Sequence, residues 1–190
     1  MIVKNEEKRI GRAIGSVREC VGEIVVVDTG STDRTKDIAQ EAGAKIIDYT
    51  FSGDFSSARN VSISACRGDW ILVLDADELF PLSPKLMLET AVEKEIAGCP
   101  NPYKGYYLLR HNFEFSEQEI SYSDYVLRLF RNGKNIRYRH RVHETVEEGL
   151  DEMEGKYGKL TQMPLSHHLF ERDKEYLEAK HQLYVDGLLK

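Results

Sequence analysis

Apolar residues in the first half of the chain fall alternately into short continuous runs and into helical spacing. Residues 24–27 and 70–74 are continuous apolar runs, which is typical of strands covered on both faces. Between them, Ile38 and Ala42 recur at the spacing of a helix, which Gly43 is expected to end in the left-handed conformation. Strands that alternate with helices predict a parallel sheet with right-handed crossover connections.

The remaining elements of the first eighty residues follow the same alternation. They are the end of a strand at residues 2–3, a helix with Ile10, Ile14, Val17 and Val21 on one face, a strand at 45–49, and a helix at 54–66 with Phe55, Ala58, Val61 and Ala65 inward. Three strand–helix units therefore fit into this half of the chain. An open α/β sheet of this kind binds its ligands beyond the carboxyl ends of its strands.

The second half of the chain has a different pattern. A helix is predicted from Pro84 to about residue 96. Alternation of apolar and polar positions predicts three strands, at residues 105–110, 125–130 and 136–141. The sequence Arg-Asn-Gly-Lys at 131–134 predicts a hairpin between the last two strands. The polar residues 150–159 are expected to form a mobile loop, and residues 171–190 a helix.

Composition narrows the class of protein. The 190 residues include 41% hydrophobic and 31% charged residues and carry a formal net charge of −6, with both signs interspersed. No basic stripe is available to neutralise phosphates along a nucleic acid, so nucleic acid is excluded as a partner. The apolar runs are too short to span a bilayer, and the N-terminus does not have the pattern of a signal peptide. The three cysteines, Cys20, Cys66 and Cys99, are expected to be reduced thiols of a soluble, cytoplasmic protein.

Two acidic residues directly follow the apolar run at 70–74. Asp75 and Asp77 are two positions apart, so in extended chain both carboxylates face the same side. Beyond the carboxyl end of a strand, such a pair suits a hard divalent cation that also takes diphosphate oxygens. The alternative is a turn at the end of a strand with two solvated acids.

A third acid follows the apolar run at 24–27. Asp28 leads into Thr29-Gly30-Ser31, and its carboxylate could accept from a uracil imide or a ribose hydroxyl while Gly30 allows close backbone approach. The alternative is an ordinary strand–helix turn with a capping residue. Acids at the ends of two strands of one sheet favour a binding site.

Several longer motifs occur in a fixed order. They are Ile-Val-Lys-Asn-Glu-Glu at 2–7, Val-Val-Val-Asp-Thr-Gly-Ser-Thr-Asp at 25–33, Asp-Phe-Ser-Ser-Ala-Arg-Asn at 54–60, Gly-Asp-Trp-Ile-Leu-Val-Leu-Asp-Ala-Asp-Glu at 68–78, Arg-Leu-Phe-Arg-Asn at 128–132 and Val-His-Glu at 142–144. Together they resemble family-two glycosyltransferases with the GT-A fold, over residues 1 to about 170. The resemblance is to the branch that includes lipopolysaccharide-core glucosyltransferases and enzymes that glycosylate bacteriocin peptides.

The resemblance implies a fold and an activity. The fold would be α/β with a mainly parallel central sheet, a Rossmann-like nucleotide-binding half at 1–97, an antiparallel acceptor-side half at 98–170 and a C-terminal helix. The activity would be transfer of a hexose from a uridine-diphosphate sugar to a carbohydrate, a lipid-linked glycan or a peptide, with inversion at the anomeric carbon. A lipid-linked acceptor would place the enzyme at the inner face of a membrane.

The resemblance also implies roles for single residues. Those expected to contact the nucleotide sugar are Val3, Asn5, Glu6, Asp28, Arg59 and Asp75. Asp77, with Asp75, would hold Mn²⁺ or Mg²⁺, and the forked guanidinium of Arg59 suits the donor diphosphate. The alternative for Arg59 is a surface arginine on a helix.

Two assignments concern the second half. Glu144 is the candidate general base that takes the proton of the acceptor, unless it is one more acid of a series with Glu147 and Glu148. A histidine from this half would complete the metal sphere. His167 is the first candidate, and His143 and His168 are the others.

The alternatives to this function are an idle nucleotide-sugar-binding module and a different α/β protein, either a sugar-phosphate nucleotidyltransferase or a phosphoacceptor domain. A catalytically idle module that binds nucleotide sugars would keep Asp28 and Asp77 without needing a base. A sugar-phosphate nucleotidyltransferase would need a Gly-rich basic loop after its first strand, where this chain has Lys4-Asn5-Glu6-Glu7. A phosphoacceptor domain would need a late lysine and no antiparallel half.

Overall fold

The computed structural model describes residues 1–96 and 102–169. The predicted helix at 171–190 and Cys99 lie outside the described residues. In chain order the elements are β1 (Ile2–Val3), α1 (Ile10–Val17), β2 (Val25–Asp28), α2 (Thr35–Glu41), β3 (Lys45–Asp48), α3 (Phe55–Ser64), β4 (Trp70–Leu72), β5 (Glu78–Leu79), α4 (Lys85–Ile96), β6 (Tyr103–Phe113), β7 (Tyr122–Arg131), α5 (Glu147–Asp151) and β8 (Lys156–His168).

The first half contains the predicted parallel sheet, with strand order β1-β2-β3. Strand β2 is buried along its whole length, as its β-branched residues predict. Helix α1 buries Ile10, Ala13, Ile14 and Val17. Gly43 has φ +82°, so it ends α2 in the left-handed conformation as expected.

Strand β4 does not continue the parallel ladder, which corrects the prediction that it would. It pairs antiparallel with β7, with Leu72 opposite Leu129. The second sheet has the order β4-β7-β6-β8-β5, and all its pairs are antiparallel except β6 with β8. An apolar run identifies a buried strand, but it does not specify the neighbour with which the strand pairs.

The hairpin predicted around residues 131–134 is wrong. Strand β7 instead forms its hairpin with β6, and residues 136–141 contribute only a bridge between Arg139 and Thr145. Asn132, which suggested the turn, donates its side-chain amide to the carbonyls of Cys66 and Gly68. Its amide therefore fastens the end of β7 to the α3–β4 connection.

The loop expected at 150–159 is also wrong. Leu150, in α5, is fully buried, and β8 begins at Lys156. The polar residues here pair with each other, since Lys104 and Tyr157 both donate to Asp151 at 2.8 Å. Satisfied polar groups let this segment pack where composition alone suggested a loop.

Helix α3 faces the core with a different side from the predicted one. Of the four residues expected inward, Ala58 is buried, whereas Phe55 and Val61 are half-buried. Arg59 is only 8% exposed, so the alternative of a surface arginine is wrong. The buried side of the helix includes Arg59, which pairs with Asp75 and Glu144.

Three apolar clusters hold these layers together. One face of the second sheet packs against α4 through Leu88 and Leu108, and its other face packs against α3 through Ile63 and Phe130. A third cluster lies between the parallel sheet and helices α1 and α2. The site described below lies where the two sheets meet.

Two expectations about the whole chain concern membranes and thiols. None of the helices in ranges 1–96 and 102–169 combines the length and the apolar character needed to cross a bilayer. Cys20 and Cys66 are free thiols.

We predict that Asp54→Ala destabilises α3 and with it the position of Arg59. The Asp54 carboxylate caps the helix by accepting from the backbone of Ser57 at 3.1 Å. Loss of such a cap costs about 1 kcal/mol, measurable by urea unfolding at neutral pH. Asp69→Ala, at an exposed acid, is the matched control.

The pH dependence of this difference is a second readout. Burial would raise the pKa of Asp54, but hydrogen bonds from Ser57 and Ser56 outweigh burial and leave the pKa lowered. The folded-state pKa thus lies below the unfolded value of about 3.9, so the contribution is present above that pH and disappears as pH falls through the folded-state pKa. A difference that persisted in strong acid would contradict the assignment.

Candidate active site

A cavity of about 780 Å³ lies at the carboxyl ends of β1 and β2, facing the second sheet. Its size is that of a small-molecule site. Its walls come from the segments after β1, β2 and β4, from α3 and the segment before it, from the middle of β6 and β7, and from the segment before α5 with the end of β8. The residues predicted for a site that line it are Val3, Asn5, Glu6, Arg59, Asp75, Asp77, His143, Glu144 and His167.

The loop after β1 is fastened to the loop after β2. Asn5 has φ +55°, and its side-chain oxygen accepts from the backbone of Thr32 at 2.8 Å. The backbone of Glu6 donates to the Thr35 hydroxyl at 2.7 Å. Asn5 and Glu6 thus border the cavity while their polar groups fix its rim, and contact with a ligand remains a prediction for both.

Asp28 ends β2 opposite Val3, so it lies at the same end of the sheet as the cavity. Its Oδ1 accepts from the backbone of Gly30 and Ser31 at 3.0 and 2.9 Å. Its Oδ2 is buried and has no hydrogen-bond partner within the described part of the chain. Asp28 does not itself line the cavity, whereas the adjacent Thr29 does. Its predicted contact with a base is untested.

Asp75 and Asp77 both line the cavity, although a turn rather than extended chain presents them. Asp75 lies between two arginines. Arg59 Nη2 is 3.1 Å from its Oδ1, and Arg128 Nη2 is 2.8 Å from its Oδ2. Asp77 is on the other side of the turn, 3.6 Å from His167 (Oδ2 to Nε2).

Glu78, which the sequence did not single out, is the most deeply buried charge of the site, with 0% of its surface exposed. Its Oε1 accepts from Arg128 at 2.6 Å and from Arg110 at 3.1 Å. Its Oε2 accepts from the backbone of Asp75 at 3.1 Å. Because a buried carboxylate is tolerated only when it is paired, Glu78 fixes both arginines and the turn that carries Asp75.

Arg59 links the first half of the chain to Glu144. Its Nε donates to Glu144 Oε1 at 2.7 Å. Burial would lower the pKa of Arg59, but the nearby charge of Asp75, followed by Tyr138 and Glu144, raises it well above its ordinary value. Burial raises the pKa of Tyr138, whose ring lies beside the Arg59 guanidinium, to about 12. Of the acids in the Glu144 series, Glu148 instead pairs with Arg139 at the surface.

Of the three candidate histidines, His167 has its ring nitrogen Nε2 3.6 Å from the carboxylate of Asp77. Its Nδ1 is 2.7 Å from the side-chain oxygen of Asn112, which is fully buried. The ring of His168 stacks on Phe113, 5.4 Å between centroids. His143, with φ +54°, lines the cavity.

Within the described residues, three guanidinium groups and four carboxylates pair in this network, namely Arg59, Arg110 and Arg128 with Asp75, Glu78, Asp124 and Glu144. Within residues 1–96 and 102–169, no group of three or more His, Cys, Asp or Glu side chains is arranged to hold a metal ion. A cation there would need oxygen ligands from a bound anion besides Asp77 and His167.

Sequence reasoning missed the second-sheet part of this network: Glu78, Arg110, Asn112, Asp124 and Arg128. Arg128 lies in one of the quoted motifs, but no role was derived for it. A charged residue at an inward position of a strand is the signal that could have found Arg110 and Arg128.

Solved structures with the same architecture define the class. Staphylococcus aureus TarS in complex with UDP-GlcNAc superposes with a TM-score of 0.68 over 93% of this chain and 59% of its own, at 15% identity. Mycobacterium tuberculosis glucosyl-3-phosphoglycerate synthase with Mn²⁺ and uridine-diphosphate-glucose superposes with a TM-score of 0.58 over 99% of this chain and 76% of its own, at 19% identity. The chain has the GT-A fold of nucleotide-diphospho-sugar transferases, as the motifs implied.

The chain belongs to glycosyl transferase family 2, whose model matches residues 1–145. A TPR repeat-containing protein of Synechococcus elongatus is 42% identical over 150 residues, which cover 79% of this chain and 35% of the relative. An uncharacterized glycosyltransferase of Rickettsia felis is 47% identical over 41% of this chain and 27% of its own length. Glycosyltransferase SunS from the SPbeta prophage of Bacillus subtilis is 40% identical over 42% of this chain and 19% of its own length. The chain thus spans about a third or less of these relatives.

We predict that Glu78→Gln destabilises the domain by about 3 kcal/mol or more, because it leaves Arg110 and Arg128 buried beside a neutral partner. The matched control is Glu148→Gln, which removes the charge from a carboxylate that is 52% exposed and pairs with Arg139, itself 53% exposed. An exposed pair contributes about 0–1 kcal/mol. Chemical denaturation measures both free energies of unfolding. Equal losses in the two variants would contradict the claim that Glu78 contributes more to stability than the carboxylate of an exposed pair.

Proposed function

We propose that this domain transfers a sugar from a nucleotide-diphosphate sugar to an acceptor nucleophile. The nucleoside of the donor is uridine and its sugar is a hexose. The observation that carries the proposal is the facing of Asp77 and His167 across 3.6 Å beside a buried pair of arginines. This combination suits a diphosphate and a divalent cation together. The two solved structures cited above contain uridine-diphosphate sugars, which supports the choice of donor.

The nucleoside would lie over the ends of β1 and β2. Val3 and Thr29 form the floor there, with Asn5 and Glu6 at the rim. The unpartnered Oδ2 of Asp28 is the acceptor that a uracil imide or a ribose hydroxyl would require. Asp28 is only 2% exposed. Thr29 would therefore have to move slightly for a ligand to reach the Asp28 carboxylate.

The donor set fits Mn²⁺ or Mg²⁺. The 3.6 Å between Asp77 Oδ2 and His167 Nε2 is less than twice a metal–ligand bond of about 2.1 Å, so both atoms can reach one ion. Carboxylate and imidazole are ligands that Mn²⁺ accepts. When bound, the cation stabilises negative charge on the leaving diphosphate.

The two arginines would also stabilise the negative charge on the leaving diphosphate. Arg59 and Arg128 lie against Asp75 and are buried, so their guanidinium groups are fixed in place before a ligand arrives. Fixed donors stabilise developing negative charge without reorganisation. Asp75 would hold them at the spacing that the diphosphate or the ribose needs, in place of the direct metal contact considered from the sequence.

Glu144 remains the proposed general base. It lines the cavity on the side formed by the second half of the chain, and the 2.7 Å bond from Arg59 holds its carboxylate there. A base on the face of the sugar opposite to the leaving group would produce inversion. The acceptor proposed is a carbohydrate, a lipid-linked glycan or a peptide.

We predict that uridine diphosphate with Mn²⁺ raises the melting temperature of the wild type, and that Asp77→Asn abolishes the metal-dependent part. A ligand at one hundred times its dissociation constant stabilises by about 2.7 kcal/mol, or roughly 5–10 °C for a domain of this size. Asp48→Asn, at an exposed carboxylate outside the cavity, is the control and should keep the full shift. An equal shift in Asp77→Asn would remove Asp77 from the metal site.

We predict that Glu144→Gln lowers the rate of sugar transfer by about 10²–10⁴-fold while keeping the stabilisation by uridine diphosphate. Transfer to screened acceptors, or slow hydrolysis of the donor, supplies the rate. Glu148→Gln, at an exposed acid four residues further along the chain, is the control.

Full activity of Glu144→Gln would overturn the assignment of the base. A wild type that binds the donor but neither transfers nor hydrolyses it would support the alternative, an idle nucleotide-sugar-binding module.

A further inference from the structure

We infer that Asn112 is a positioning residue that fixes His167 in the tautomer whose unprotonated Nε2 faces Asp77. The inference rests on the proposed function, because the prepared nitrogen would be a metal ligand. It concerns a residue that neither touches the cavity nor belongs to a sequence motif.

The location of Asn112 is costly for a residue of its type. It lies on β6 with 0% of its surface exposed, opposite His167 of β8 and Tyr122 of β7. Asparagine is disfavoured in strands, and a buried amide is tolerated only when its donors and acceptors are paired. An apolar residue would pack here without that requirement.

The hydrogen-bond network sets the direction of the amide. Asn112 Nδ2 donates to Asp124 Oδ1 at 3.2 Å. Asp124 receives two bonds from Arg110, at 3.0 and 2.6 Å, so it is a carboxylate that can only accept. The NH₂ group of Asn112 must therefore point to Asp124, and the amide oxygen must point the other way, towards His167.

The amide oxygen in turn sets the proton of the imidazole. It lies 2.7 Å from His167 Nδ1, and an amide oxygen has no proton to give. Nδ1 must therefore carry the hydrogen. In the neutral ring Nε2 is then a lone-pair donor, and this is the atom 3.6 Å from Asp77 Oδ2.

The chain of contacts has a consequence for the whole site. Arg110 also binds Glu78, so the carboxylate that fixes Arg128 and Asp75 is connected through Asp124 to the tautomer of His167. A ligand histidine usually has its second nitrogen held by such a partner, and loss of the partner weakens metal affinity by about 10–100-fold.

The first test needs no metal. Long-range ¹H–¹⁵N NMR of the metal-free chain, at a pH where His167 is neutral, reports which ring nitrogen carries the proton, with His167→Gln to assign the signal. We expect the Nδ1–H form in the wild type and a mixture of tautomers in Asn112→Ala. A wild type in the Nε2–H form would overturn the inference.

The second test is titration with Mn²⁺ in the presence of uridine diphosphate, followed by the paramagnetic signal of the free ion. Asn112→Ala should bind Mn²⁺ about 10–100-fold more weakly than the wild type. His111→Ala is the control, since His111 is the adjacent residue of β6 and bonds Ser123 instead.

The two levels of the proposal can fail separately. A wild type that binds no Mn²⁺ would overturn the metal site and this inference with it. A wild type that binds, together with an Asn112→Ala chain that binds equally well, would overturn the role of Asn112 and leave the metal site intact.

Discussion

The structure depends on a carboxylate that has no access to water. Glu78 is fully buried between Arg110 and Arg128, and it also accepts from the backbone of the turn that carries Asp75. A charge in this position is stable only while all its partners stay in place. Its neighbours are therefore held rigidly, and rigid charges can bind an anion without rearranging first.

From Glu78 the contacts extend in two directions. Through Arg128 and Asp75 they reach Arg59, and so helix α3 and the proposed base. Through Arg110 and Asp124 they reach Asn112 and the histidine that faces Asp77. Glu144 and His167, at the two ends of this network, both line one cavity.

The division of work between the sheets explains this arrangement. The parallel sheet supplies a floor and a rim, through backbone groups and short polar side chains at the ends of β1 and β2. The second sheet supplies most of the fixed charge, through Glu78 of β5, Arg110 of β6, and Asp124 and Arg128 of β7. Such charges can be buried only because strands of opposite direction bring complementary residues side by side, as with Arg110 opposite Asp124.

Local pattern was sufficient to place the strands and helices of the first half of the chain, although not to predict the pairing of β4 or the inward face of α3. Continuous β-branched runs, helical spacing and Gly43 predicted its strands, helices and cap, and the acids after two strands predicted the edge at which the cavity lies. These features depend on residues close together in sequence. The ordered motifs also indicated the family, which the comparisons confirm.

The tertiary structure decided which strands pair and which charges meet. Sequence did not indicate that β4 pairs with β7, that Asn132 ties two connections instead of making a turn, or that Glu78 is buried. Each depends on a partner fifty or more residues away in the chain. The free energy of a buried charge or amide is set by such partners and not by its own neighbours in the chain.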